Sequence, residues 1–259
     1  MGIQVLVAAM HQKDHSLPEK MNIRTDVIVA NQCDRDSIES FCWNGHDVVY
    51  INRNQRGVGL NRNQALLQAT ADICLLADED VVYYDGYEKI VADAYERHPD
   101  ADVIIFDMKI LTNDGEISGI IKREEFVGKK AVARYGSVRV SFRTESVKRK
   151  NVYFHRMFGG GTPFANGEDT IFLSDCVDRG LKVLTCPQTL GEVHNYSSTW
   201  FAGYDDKYFH DRGVLFGYLH PVLAKPLCAY HVLKHRGKYR SYGLCGAILK
   251  MWEGCANRP

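Results

Sequence analysis

Three carboxylates in succession, Asp78, Glu79 and Asp80, end the apolar run Ile73-Cys74-Leu75-Leu76-Ala77. A buried strand has no place for such charges in its interior, so the run reads as a strand and the acids as its mouth. In an open α/β sheet, ligands bind outside the carboxyl ends of the strands, where carboxylate oxygens can hold a hard divalent cation against a phosphate. The triplet is therefore a candidate metal and phosphate site, and it suits a solvated acidic turn as well. A second acidic pair, Glu168-Asp169, follows the glycines Gly159-Gly160-Gly161 and opens a helical pattern through Ile171, Phe172, Asp175 and Cys176 that closes at Arg179-Gly180. The positive end of a helix keeps such an acid ionised, either as a general base or simply as a partner of the dipole. A glycine triplet lets backbone approach a ligand closely.

The elements that must position these acids follow from hydrophobic patterning. Residues 3–9, 27–30 and 48–51 are β-rich apolar runs, each followed by polar, loop-like sequence. After the third run, Gly57-Val58-Gly59 opens a helix with Leu60, Ala65, Leu66 and Ala69 on one face, directed at the rim that holds Asp78. Arg62, close to that helix start, is placed either to add donors to a bound anion or to stand as an exposed helix cation. Residues 87–98 read as a helix stopped by Pro99, and residues 103–108 as another buried strand. From Leu111 to about Asn151 the chain turns polar and basic, with a hairpin-type Asn113-Asp114-Gly115 and a short strand over 138–142. Residues 182–186 form a last buried strand, expected to end at Pro187, followed by Gly191-Glu192-Val193-His194. The alternation predicts an α/β fold with a mixed, mostly parallel sheet flanked by helices.

Composition sets outer bounds. The 259 residues carry 32 Lys or Arg against 32 Asp or Glu, so no global field points to nucleic acid as a partner. The N-terminal residues lack a basic region and a long apolar stretch, from which we expect no signal peptide and a cytoplasmic protein. The eight cysteines have no Cys-x-x-Cys or zinc spacing, and are expected to be reduced and mostly buried. His11 and His15 have a spacing that suits a zinc helix, but they sit in a loop-like stretch. Asn195-Tyr196-Ser197 matches a glycosylation sequon that means nothing without secretion. From residue 201 onward nine Lys or Arg face four Asp or Glu. Within this tail, residues 214–233 are too often interrupted by Pro221, Pro226, Lys225 and histidines to span a bilayer. They read as an interfacial segment or as a packed helical pair with a basic edge.

Taken in order, the motifs resemble those of a family-2 glycosyltransferase with the GT-A fold, of the inverting, bacterial polysaccharide type. Arg56-Gly57-Val58-Gly59-Leu60-Asn61-Arg62-Asn63 resembles the family's glycine-then-Arg-Asn helix start beside the nucleotide. Asp78-Glu79-Asp80 stands where the family keeps its Asp-x-Asp, Glu168-Asp169 resembles its Glu-Asp pair, whose second acid is the catalytic base, and His194 falls where many members place a further metal ligand. The likeness covers roughly residues 3–200. It implies a nucleotide-binding half over 1–110, an acceptor-binding half over 111–200 and a basic, apolar helical extension over 201–259. It also implies nucleotide-sugar contacts at Ala8, Met10, Asn31, Gln32, Gly57, Arg62, Asn63, Asp78, Glu79, Gly160 and Gly161, with Glu168 and Asp169 catalytic. Mn2+ or Mg2+ would be held by Asp80 and Asp78, with His194 favouring Mn2+. The family's Asp-rich segment after the second strand is replaced here by Asn31-Gln32-Cys33-Asp34; the Asn31 amide oxygen can accept from a base N3–H as a carboxylate would.

On this resemblance we expect a sugar to move from a nucleoside-diphosphate sugar, with uridine as the favoured base, to a hydroxyl of a glycan or lipid-linked acceptor. Peripheral contact with the inner face of the plasma membrane would run through the tail. A sugar-1-phosphate nucleotidyltransferase is the nearest rival, but Ala8-Ala9-Met10-His11 follows the first strand where a Gly-rich phosphate loop would be needed. A glycosidase also needs paired carboxylates. A non-catalytic nucleotide-sugar-binding scaffold would have no reason to keep Asp78, Asp80 and Asp169 together.

Overall fold

A computed structural model describes residues 1–196, 203–257 and 259. Contacts divide the chain into two units. The first is Met1–His155 together with the segment that begins at Asp169, and the second joins Arg156–Glu168 to the C-terminal helices. The expected boundary at residues 200 and 201 lies outside the described residues.

The first unit is a sheet of eleven strands among the described residues. Its first half runs β1 (Ile3–Met10), a short helix α1 (Leu17–Lys20), β2 (Asp26–Gln32), β3 (Ser37–Trp43), β4 (His46–Arg53), α2 (Val58–Gln68), β5 (Ile73–Asp78) and β6 (Val81–Tyr83). Helix α3 (Tyr87–Arg97) leads to β7 (Val103–Thr112), β8 (Gly115–Ile117), β9 (Glu125–Phe126) and α4 (Lys129–Val132). A 3-10 turn at Ser137–Arg139, β10 (Val140–Arg143), α5 (Thr144–Arg149), α6 (Glu168–Asp178) and β11 (Val183–His194) complete it. The spatial order is β3-β4-β2-β1-β5-β10-β7-β11-β6.

Strands β4, β2, β1 and β5 run parallel, so Arg53, Gln32, Met10 and Asp78 all end at one rim. Their near-continuous Val, Ile, Leu and Ala content reflects burial on both faces. One face packs against Leu17, Met21 and the Tyr87, Val91, Ala94 and Tyr95 side of α3. The other packs against Ala65 and Leu66 of α2, Ala69 just after it, and Phe172, Leu173 and Cys176 of α6. This is a three-layer α/β arrangement. The buried face of α2 also includes Gly59, Asn61 and Arg62, whereas Leu60 is only partly covered.

Four features depart from the local pattern. Strand β3 is an antiparallel edge partner of β4, joined through Asn44 and Gly45, both at positive φ as a two-residue hairpin turn requires. The segment expected to be a strand over 138–142 begins as a 3-10 turn and becomes β10, which runs antiparallel between β5 and β7. The triplet of acids is followed at once by β6, which pairs with Gly191, Glu192 and Val193 of β11. Finally, β11 does not stop at Pro187: the register with β7 slips between Cys186 and Thr189, so the residue without an N–H sits in an irregularity and the strand resumes to His194.

In the second unit, α7 (Asp206–Leu219), α8 (Ala224–Lys234), α9 (Arg236–Tyr239) and α10 (Leu244–Ala256) share a core of Phe209, Cys228, Val232, Tyr239, Ala247 and Met251. Helices α7 and α10 touch backbone to backbone, since a Cβ on Gly213 would stand 2.0 Å from the Met251 carbonyl oxygen. Among the described residues no helix is long and apolar enough to cross a membrane.

Candidate active site

The rim is built by amide side chains that tie α2 to the strand ends. The buried Gln32 accepts the Gly57 N–H at 2.8 Å, fixing the turn in which Gly57 takes φ 119°. Asn61 donates to the carbonyls of Ala30 at 2.8 Å and Ala9 at 3.3 Å. Asn63 exchanges two hydrogen bonds of 2.8 Å with the backbone of Phe154. These bonds satisfy buried polar groups and leave α2 little freedom to slide.

Arg62 is carried on the helix that these bonds hold. It is 4% exposed, which decides between the two sequence readings: it is no exposed helix cation. One guanidinium nitrogen donates to Asp78 Oδ1 and another to Asp169 Oδ1, each at 2.7 Å. The Phe154 ring lies 5.3 Å from its Cζ and fixes the plane of the fork. Two acids from distant parts of the sequence thus meet on one cation. The other oxygen of Asp169 accepts the backbone N–H of Ser137 at 3.0 Å. Ser137 starts the 3-10 turn, and that turn is anchored by a buried ion pair of Arg139 with Asp107 and by Arg139 donating to the Met108 carbonyl at 2.9 Å.

The three consecutive acids have separate surroundings. Asp78 faces Arg62. Glu79 turns back to hold the loop after β1, accepting from the Met10 N–H at 3.1 Å and the Gln12 side-chain amide at 2.6 Å. Asp80 is different: its Oδ1 is buried with no hydrogen-bond partner. Burial first, then the charges of Asp78 and Glu79, push its carboxyl up to about 6. The Asp80 carbonyl accepts the His194 N–H at 2.9 Å, while the His194 ring meets Glu192 at 2.7 Å. An orphaned, hard oxygen beside a second carboxylate is the donor chemistry that suits Mg2+ or Mn2+. Among the described residues no three His, Cys, Asp or Glu converge as a complete metal cage. Any cation at Asp80 would therefore take most of its ligands from water or phosphate, which is how such ions are usually held.

The remaining expected contacts are distributed as follows. Ala8 and Met10 lie on β1, Ala8 in register with Ala30 and Asp78. Asn31 is fully buried; its oxygen accepts the Gln12 N–H at 3.0 Å and its amide donates to Asn52 at 2.7 Å and to the Gln12 carbonyl at 3.1 Å. His11 meets Arg56 and His15 meets Glu39, so the two histidines serve separate partners. Gly160, Gly161 and Glu168 belong to the second unit, whose loop turns through positive φ at Gly159 and Gly161. Ser137, Arg139 with Asp107, and Phe154 were not singled out from the sequence. Ser137 contributes only its backbone N–H, which no residue type advertises, whereas Phe154 follows the basic stretch by a spacing that carries no motif. A groove of about 680 Å³ lined by Asp72, Thr144, Glu145 and Lys148 lies at the start of β5, the strand end away from Asp78.

A doubly covered α/β sheet, with carboxylates from two segments gathered at the carboxyl ends of its parallel strands, has the arrangement in which open α/β proteins bind ligands. Residues 15–155, more than half of the chain, match the sequence profile of glycosyl transferase family 2, and the chain belongs to that family. Its fold is similar to that of S. aureus TarS. TarS residues 1–349 superpose with TM-score 0.59 at 15% identity, over 83% of this chain and 64% of that one. The same fragment in complex with UDP-GlcNAc gives TM-score 0.61 at 16% identity, covering 83% and 66%. Its complex with UDP gives 0.63 at 16% identity, covering 94% and 74%. These likenesses establish a GT-A fold, and the chain spans less than two thirds of the first TarS fragment. No curated protein matches it in sequence.

Proposed function

We propose that this glycosyltransferase moves a sugar from a UDP-sugar to a hydroxyl of a glycan or lipid-linked acceptor with inversion at the anomeric carbon. The observation that carries the reading is the shared guanidinium of Arg62, which puts Asp78 and Asp169 on two sides of one cation. The UDP and UDP-GlcNAc complexes of TarS support the choice of donor.

In this mechanism Asp169 is the general base. Its two oxygens are oriented by Arg62 and by the Ser137 N–H, and each keeps a lone pair for an incoming hydroxyl. As the acceptor oxygen attacks the anomeric carbon, its proton passes to Asp169, the new C–O bond forms and the bond to the diphosphate breaks. Nucleoside diphosphate leaves. Asp80, with Asp78 beside it, would hold Mn2+ or Mg2+, which when bound supplies positive charge to the departing diphosphate. Arg62 sets the spacing between the donor-side acid and the base, so donor and acceptor meet in one geometry. The segment over 111–200 is proposed to carry acceptor contacts.

The test is a thermal-shift panel of nucleotide-sugars with and without Mn2+, followed by assay of nucleoside diphosphate release. A ligand at a hundred times its dissociation constant stabilises by about 2.7 kcal/mol. Stabilisation by UDP-sugars that requires Mn2+ is the expected outcome. Stabilisation by nucleoside triphosphates with pyrophosphate release would favour a nucleotidyltransferase instead.

A further inference from the structure

Helix α8 is apolar on two opposite faces, and only one of them is covered. Ala224, Cys228 and Val232, spaced by four, are buried in the second unit. On the outward side Tyr230 is 62% and Leu233 52% exposed, and Val222 in the preceding turn is 91% exposed. Single exposed apolar residues need no explanation, but a stripe along one helix does. Lys225 and Lys234, both exposed, flank it, and their ammonium groups lie over the rings of Trp252 and Tyr230, 5.9 Å and 6.0 Å from the centroids. Charge selects the occupant. Residues 213–252 contain six Lys or Arg and no Asp or Glu; Lys250 pairs with Asp206 and Glu253, whereas Lys225 and Lys234 on α8 are exposed and give that face a charge complementary to an anionic surface.

We propose that the outward face of α8, with the turn before it, docks in the plane of an anionic phospholipid bilayer. Leu233, Tyr230 and Val222 enter the headgroup boundary and Lys225 and Lys234 meet lipid phosphates. The eleven-residue helix lies on the surface and does not cross it.

The test is co-sedimentation of the full chain with phosphatidylcholine vesicles, with and without phosphatidylglycerol, at low and high salt. Binding is expected only with phosphatidylglycerol, weakening as salt rises. Leu233→Glu, and separately Lys225→Glu with Lys234→Glu, should each lower binding at least about tenfold. These positions are exposed, so the melting temperature should stay at the wild-type value. Equal binding to neutral and anionic vesicles, wild-type binding by all variants, or a protein dimer that Leu233→Glu dissociates without any vesicle binding would each overturn the proposal.

Discussion

Arg62 carries more of the site than either acid it touches. A planar fork with two nitrogens on two carboxylates has no equivalent in lysine, whose ammonium is a single point of charge. Arg62→Lys should therefore keep the charge and lose the geometry, lowering kcat/KM by at least about tenfold. Arg62→Ala leaves two acids facing each other and, discounted for the exposure of Asp78, should cost about 2 kcal/mol in a denaturant titration. A lysine variant with wild-type kinetics would remove the fork from the account. Asp80 gives a prediction of opposite sign. Its carboxyl is raised from 3.8 to about 6, so the folded chain holds the proton more tightly than the unfolded chain does. The resulting penalty is absent below about pH 4 and fully present above about pH 6. In chelator at pH 7, Asp80→Asn should stabilise the protein by about 1 kcal/mol, a rise of about 2–4 °C, while abolishing stabilisation by Mn2+ with nucleotide. A fall in melting temperature at pH 7 would contradict the burial argument.

At the scale of elements, α2 is the part that must not move. A Cβ at Gly59 would stand 2.6 Å from the carbonyl oxygen of His155, which is backbone and cannot swing aside. Gly59→Ala should destabilise by about 1–3 kcal/mol and reduce activity more than its stability loss explains, because Arg62 rides on the same helix. A stable, fully active alanine variant would show that the contact can relax. The strands that flank α2 were legible because burial on both faces writes continuous apolar runs at 3–9, 27–30 and 73–77. The hairpin turn of strand β3 was written too, in Asn44-Gly45, but its half-buried face is Ser37, Glu39, Phe41 and Trp43 while Ile38 faces outward, a weak apolar signal at an edge. The position of β10 between β5 and β7 was not legible at all. Four residues cannot specify two partners from distant sequence; pairing does that. Likewise the Ser137 N–H that holds Asp169 belongs to a turn fixed by Asp107 and Arg139, a long-range ion pair invisible to local pattern. The acids at the mouth of β5 were readable from the abrupt end of the apolar run; that one guanidinium joins them to Asp169 was not.

For the whole molecule, the parallel strands of the GT-A fold end at one rim, where the acids gather, and the charge is polarised along the chain. The acidic first two hundred residues contain the carboxylates of the site, and the basic remainder carries the α8 face. The central step of the proposed mechanism is proton removal by Asp169 opposite a departing diphosphate. Its most direct test is UDP release from a UDP-sugar with Mn2+ and an oligosaccharide acceptor mixture, measured beside donor affinity in wild type and Asp169→Asn. Loss of a general base predicts a fall in release of about 100-fold or more with donor affinity unchanged. Release by the Asp169→Asn protein at the wild-type rate, with donor bound equally well, would contradict the account.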